Sequence, residues 1–383
     1  MIRLRGMTWN HDRGLAPMLA TSAAFRERHP DVVIEWEARS LRDFGDAPTA
    51  KLAELYDMVV LDHPFMGDLA SSRTFLAYDE FLSPEQRQAY AEDAVGLSWA
   101  SYTFDGHHWA LPNDAASQVM SYRADLLDRE GVAVPSTWDD VMELAKVRRG
   151  FVSLALTPLD SLMSFFSLCA NAGDPCFERD DQMVSRDTGE YALEMLRLLG
   201  DSAAPTARTE NPIALYERMS SMDETAYCPL AFGYSNYSRP HYRSKLISYG
   251  LIPSAGHGPI GATLGGAGIA ISASCPHRDL ALEYATWASG RECQRTLYVE
   301  SGGQPGSRAA WEDDTANALT NGYFHSTLPV LQGAWLRPRY RGFIGDCQNA
   351  AGQIIAGFMC GERTARETLD DFDSLLQRIA RDR

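Results

Sequence analysis

The sequence predicts an α/β protein of two lobes, each built on a sheet with helices on its faces. Three observations carry this expectation. Residues 1–62 alternate strand-like and helix-like segments, the chain of 383 residues is too long for one ordinary core, and no Gly-, Ser- or Pro-rich linker divides it. A two-lobed chain without a linker is usually joined by more than one crossover, so each lobe should be assembled from separate stretches of sequence.

The elements follow in order. "IRLRGMTW" reads as a short strand, and "LAPMLATSAAFRERHP" has helical apolar spacing at Leu15, Met18, Leu19 and Ala23. "VVIEWEAR" is a second strand, "APTAKLAELY" a helix, and "YDMVVLDHPF" a buried strand with a continuous apolar run. Strands that alternate with helices pair in parallel, and ligands meet such sheets at the carboxyl ends of the strands. Those ends carry Trp9, Asn10, His11 and Arg13, then Arg39 and Ser40, then Asp62 and His63. The middle of the chain turns mainly helical. In "VPSTWDDVMELAKV", Pro135 fixes the entry, Thr137 is the N-cap, Asp140 closes a capping box, and Val141, Met142, Leu144 and Ala145 form the buried face. "FVSLALTPLDSLMSFFSLCANAG" reads as a strand, a break and a buried helix, because Pro158 and Asp160 interrupt it. A Gly-rich tract then leads into a strand ending near Ser272, the helix "RDLALEYATWASG" follows, and the chain is helical again from about Gln348.

Composition excludes several classes of partner. The 51 acids exceed the 35 bases to give a net charge of −16, a field that repels nucleic acid and acidic membrane surfaces. No stretch is apolar enough to span a membrane. The opening "MIRLRGMTWNHDRG" lacks an apolar signal core, so the expected compartment is cytoplasmic if Met1 is the native start and periplasmic if a leader has been removed. The seven cysteines show no CxxC, and their spacings fit neither a zinc site nor a disulfide framework; mostly buried, reduced thiols are expected.

Catalytic signatures are weak. Gly256, Gly258 and Gly261 spell GxGxxG, but a strand follows where a dinucleotide site needs a helix. P-loop, HExxH and GxSxG motifs are absent, and "GYSNY" around Ser235 lacks the second glycine of a nucleophile elbow. Adjacent His107 and His108 would point to opposite faces of a strand, so they read as a turn and a strand start. No metal or cofactor is expected.

Binding signals are stronger. Trp9, Trp99, Trp109, Tyr227, Tyr234, Tyr237, Trp335 and Tyr340 lie beside polar residues at element ends, where aromatic faces can stack on sugar C–H faces. Asp62-His63 and Asn113-Asp114 are polar pairs at strand ends, which need solvent or a ligand. Arg13, Arg39, Arg337 and Arg339 could form guanidinium forks for an anion.

The stretch "GHHWALPNDAASQVMSYRADLLDREGVAVPSTWDDVMELA" resembles the most recognisable segment of the family 1 extracellular solute-binding proteins of ABC transporters, in particular the sugar-binding branch. The matching residues are Gly106, Trp109, Leu111, Pro112, Tyr122, Leu126, Leu127, Gly131, Pro135, Thr137, Trp138, Asp139 and Asp140. "YDMVVLDHPFMGDL", "VSRDTGEYALEMLRLL", the segment from Leu264 to Arg308, and "PVLQGAWLRPRYRGF" resemble further family stretches in the same order. The resemblance implies a two-lobed periplasmic-binding-protein-like fold of type II, with a ligand cleft between lobes that close by a hinge. It assigns one lobe to 1–112 plus 260–309 and the other to 113–259 plus 310–383. It places Trp9, His11, Asp62, His63, Tyr234, Tyr237 and Trp335 around one cleft and makes Trp138 a structural residue packed under its helix start. Arg13 and Arg39 depart from the neutral or acidic groups usual in sugar binders, and with Ser40, Asn113, Asp114 and Gly266 they complete the expected ligand-binding set. The function implied is a non-enzymatic, monomeric substrate-binding protein that hands a small polar solute, a carbohydrate first, to ABC permease subunits. An organic acid held by the arginines is the first alternative, and a cytoplasmic sensor or an enzyme using His11, Asp62 and His63 the second.

Overall fold

The computed structural model describes residues 1–40 and 48–381. In chain order the elements used below are β1 (Ile2–Trp9), α1 (Asp12–Arg28), β2 (Val32–Arg39), β3 (Met58–Leu61), β4 (Leu111–Tyr122), α2 (Trp138–Ala145), α3 (Pro158–Asn171), α4 (Arg186–Ser202), β5 (Tyr227–Phe232), β6 (Leu264–Ile271), α5 (Arg278–Ala288), α6 (Asn349–Met359) and α7 (Ala365–Arg381). The chain divides into two compact units, one formed by 1–116, 265–324 and 338–343, the other by 117–264, 325–337 and 344–383. The chain passes from the first unit to the second within β4 and returns at the start of β6.

In the first unit β1 pairs in parallel with β2 along its whole length, from Ile2 opposite Val32 to Trp9 opposite Arg39, and with β3 through Gly6–Met58 and Met7–Val59. The apolar run of β3 is buried throughout, as expected of a strand covered on both faces. The expected parallel sheet is completed by an antiparallel member: β6 runs against β3, with Met58 opposite Ile271 and Leu61 opposite Gly268. α1 packs by Met18, Thr21, Ser22 and Phe25, and the Thr21 hydroxyl meets that of Tyr284 on α5 at 2.8 Å. The helix expected over "APTAKLAELY" runs from Thr49 to Leu55; Ala47 lies outside the described residues. His107 and His108 form one side of a two-stranded hairpin with Thr103 and Phe104, turned by Asp105 and Gly106 at positive φ. His108 is buried: Trp99 stacks on its ring at 3.6 Å, its Nδ1 meets the Thr103 hydroxyl at 3.0 Å, and its amide donates to Asp79.

In the second unit the inner half of β4 pairs antiparallel with β5 across a bulge between Val119 and Ser121, and with Ser248–Gly250. The capping box at the start of α2 is present, Thr137 and Asp140 exchanging side-chain and backbone hydrogen bonds. Trp138 lies buried behind it, and its indole N–H donates to Asn171 Oδ1 at 2.9 Å. The stretch expected as a strand before α3 forms only a bridge between Val152 and Tyr227, although it is buried; Ser153 N donates to the Tyr227 carbonyl at 3.0 Å. α3 is buried nearly all round and packs against α6 and α4, and α7 covers α4 and α6.

Arg123, fully buried, staples the far end of β4. Its guanidinium donates to the carbonyls of Met219 and Met222 and to the carboxylates of Asp125 and Asp223, each at 2.7–2.9 Å. The acids are partly exposed and can be resolvated, but the two carbonyls lose the donor they have in the fold. Arg123→Ala should therefore lower the unfolding free energy by about 3 kcal/mol in urea denaturation, the cost of a cavity and stranded buried acceptors.

A second expectation concerns acid. Burial drives the His108 imidazole down from 6.5 to about 3. Below pH 6.5 the unfolded chain therefore binds a proton that the folded state refuses, so stability falls as pH drops from 6.5 towards 3, by about 1.4 kcal/mol per pH unit from this group. Urea unfolding of the wild type and of His108→Gln between pH 7 and pH 5 should show the steeper loss in the wild type; equal slopes would remove His108 from the acid sensitivity.

Candidate functional site

The first unit brings the predicted strand ends together. Register places Trp9 beside Arg39, and the β1–β3 pairing brings Leu61 level with Trp9, so that Asp62 follows at the same edge. α1 starts there too. His11 is its N-cap, its Nδ1 accepting from Arg13 N at 3.0 Å, which leaves the ring proton on Nε2. Asp62 caps the short turn His63–Phe65, accepting from His63 N at 2.8 Å, and its Oδ1 stands 3.0 Å from His63 Nδ1. The His63 ring is buried, edge-on to Tyr102 at 6.4 Å, while Asp62 is half-buried and Asn10 and Ser40 are exposed. Trp9 lies across the first turn of α1. A Cβ on Gly14 would sit 2.4 Å from the indole, so only glycine admits this approach.

The arginines at this edge are engaged by the protein. Arg13 is buried, and its guanidinium grips Asp114 in a fork, Nε to Oδ2 at 2.8 Å and Nη2 to Oδ1 at 2.5 Å. The expected anion fork at Arg13 is thus closed by a carboxylate 101 residues away in sequence, and Asp114 is a partner of Arg13 rather than a polar group awaiting a ligand. Burial pushes the Asp114 carboxyl up from its ordinary value, Arg13 opposes this, and the Asp62 charge adds to the rise. Arg39 donates to the Tyr56 hydroxyl at 2.9 Å and to Glu37 at 3.3 Å. Arg339 donates to the carbonyls of Ala100, Ser101 and Thr103. Asn113 turns inward, its amide donating to the Tyr298 hydroxyl at 3.3 Å. Gly266 serves packing: at φ +104, its missing Cβ would meet the Asp114 carbonyl at 2.6 Å.

The second unit presents a different surface. Trp335 bridges to Thr263 and is half-exposed; its ring lies 5.3 Å from Phe166 and, near-parallel at 9°, 6.4 Å from Phe177. Phe177 is half-exposed as well and holds a left-handed φ of 67°, anchored by its N–H to the Met183 carbonyl. The sequence reading missed both phenylalanines; the turn "AGDPCF" was the available signal for Phe177. Tyr237, expected at the site, is core. Its hydroxyl donates to Glu217 at 2.8 Å and its ring packs on Tyr216 and Tyr242. Tyr234 is buried against Tyr216, its carbonyl accepting from the Tyr249 hydroxyl at 3.0 Å. Trp109 and Tyr227 are likewise core residues, while Arg337 is buried with Nη1 on Gln348 at 3.1 Å.

The profile of bacterial extracellular solute-binding proteins matches residues 20–320. The chain belongs to that family. Members are the small-molecule-binding components of ABC transporters and work with permease subunits. The arabinooligosaccharide-binding protein of Halalkalibacterium halodurans is 22% identical over 313 residues, spanning 74% of this chain and 69% of its own. Among solved structures, the maltose-bound MalE3 of T. maritima superposes with a TM-score of 0.82 at 16% identity, covering 99% of this chain and 100% of its own. A solute-binding protein of Agrobacterium radiobacter K84 in complex with ribitol gives 0.82 at 18% identity, covering 99% and 98%. These likenesses show the fold, that of the two-lobed solute-binding proteins.

Removing Arg13 separates a structural fork from an anion receptor. Arg13→Met should destabilise the protein by about 3–5 kcal/mol at neutral pH, because a buried carboxylate is left without its partner. Without Arg13 the Asp114 carboxyl keeps its proton to higher pH in the fold than in the unfolded chain. The loss should shrink as pH falls towards 4, and Asp114→Asn in the same chain should restore part of it. Urea unfolding across pH measures both.

Proposed function

We propose that this solute-binding protein captures a neutral sugar or polyol and, as a monomer and without chemical conversion, presents it to the permease of an ABC importer. The observation that carries the neutral class is the closure of Arg13 on Asp114. With Arg39 and Arg339 engaged as well, the edge at which β1, β2 and β3 end offers carboxylate, imidazole and amide groups, the partners of hydroxyls. The half-exposed Trp335 and Phe177 rings suit the C–H face of a pyranose or the chain of a polyol. In the same direction point the arabinooligosaccharide binder and the maltose- and ribitol-bound neighbours. The two units correspond in this reading to the family's two lobes. The binder reading, as against an enzyme, rests on the same relatives, all binding proteins.

A thermal-shift panel of neutral sugars, polyols, sugar acids and dicarboxylates tests the class, since a ligand held only by the folded state raises the melting temperature by mass action. Neutral compounds should shift it and acids should not; a shift confined to acids overturns the proposal. With the responding compound, Asp62→Ala should weaken binding more than tenfold by calorimetry while the free protein melts nearly as before. Unchanged affinity would remove Asp62 from the site. Mass spectrometry of the compound after incubation should show no product.

A further inference from the structure

The chain is acidic, with 51 acids to 35 bases, and one cavity runs against that balance. It opens beside α7, has a volume of about 460 Å³, and is lined by Arg363, Arg378 and Arg381 against a single acid, Asp371. Helix period builds this lining. Leu369, Phe372 and Leu375 form the buried face of α7, which leaves Asp371, Ser374, Arg378 and Arg381 as a polar stripe along the cavity. α6 contributes Ile354, and the turn between the helices contributes Arg363. Arg363 lies over Gly357, where a Cβ would collide with the guanidinium, and its Nε stands 3.0 Å from Asp371 Oδ2. Arg378 and Arg381 are exposed, and among the described residues their side chains have no ion pair or hydrogen bond. In this they differ from Arg13, Arg39 and Arg339, whose donors the protein takes up.

We propose that this cavity is a second binding site, for a small sugar or polyol that carries two phosphate groups. Arg378 and Arg381 are neighbours on one helix face, so both forks can converge on one ligand, and guanidinium and phosphate meet through paired hydrogen bonds. Arg363, already held by Asp371, frames the site. The volume falls in the range of small-molecule sites, about 300–1,000 Å³, and leaves room for an organic body beyond the phosphates. Ser374 and Gln377 are partners for hydroxyls. No aromatic side chain among the described residues lines the cavity, so a nucleotide base would have nothing to stack on. The negative end of the α7 dipole attracts the same two arginines without occupying their donors. All these residues belong to the second unit, and the site does not depend on which solute the protein binds.

The test is calorimetric titration of the full chain with fructose bisphosphate, beside inorganic pyrophosphate and adenosine diphosphate. One equivalent of the bisphosphate should bind, and more tightly than either comparison compound. Replacing both arginines, Arg378→Gln with Arg381→Gln, should weaken that binding more than tenfold. Arg366→Gln, on α7 but outside the cavity lining, and Asp62→Ala should both bind it as the wild type does. Absence of binding, or an unchanged affinity in the double variant, overturns the proposal. So does a pyrophosphate affinity equal to that of the bisphosphate, which marks a site for inorganic ions, or a tighter hold on the nucleotide. An equal loss in Arg366→Gln would reveal general charge attraction, and a loss in Asp62→Ala would put the compound in the solute site; either result sinks the second site. Both arginines are exposed, so the double variant should melt within about 2 °C of the wild type. The comparison of ligands uses the unmodified chain and stands even if a variant folds poorly.

Discussion

The buried fork between Arg13 and Asp114 is the contact on which the edge formed by the ends of β1, β2 and β3 depends. Arg13 stands in the first turn of α1, and Asp114 on the strand that carries the chain towards the second unit. A guanidinium and a carboxylate taken out of water tolerate little misplacement, because their mutual hydrogen bonds are what offsets desolvation. The fork therefore fixes where the helix begins relative to β4. Trp9 is then trapped over Gly14, and Gly266 against the Asp114 backbone, each approach being too close for a Cβ. The position of His11 at the helix N-cap follows from the same anchoring.

What was legible in the sequence is what short-range physics dictates. The alternation of apolar runs located β1, α1, β2 and β3, and the Thr137–Asp140 spacing located the cap of α2, because strand pleat, helix period and capping each involve residues within one or two turns. The family resemblance supplied the order of the remaining elements. It could not supply long-range partners. Nothing around Arg13 announces an acid 101 residues on, and nothing around Tyr237 announces Glu217, so a closed fork and a core tyrosine both read as open groups. The stretch before α3 misled for a related reason: its apolar run reports burial, while strand identity depends on pairing that only Val152 achieves. Phe177 escaped because a bulky residue at positive φ is uncommon and is stabilised by a carbonyl from Met183 that sequence does not bring near.

Across both units the arginines of this acidic chain act as internal staples. Arg123 holds two carbonyls and two carboxylates, Arg339 three carbonyls, and Arg13 one carboxylate in a fork. The guanidinium suits this work because its five donors diverge in a plane and its charge cannot be lost on burial. The consequence for function is chemical. A guanidinium whose donors already meet protein acceptors has little to gain from a solute anion.

The aromatic surface completes that argument from the other side. Trp335 and Phe177 keep part of their faces exposed although each is tied to the second unit by backbone hydrogen bonds, so they are held in place with apolar area still in water. Covering such a preordered face releases solvent without the cost of ordering a mobile side chain. A solute with an apolar C–H face gains from covering such a surface, whereas a compact anion presents no apolar face to it.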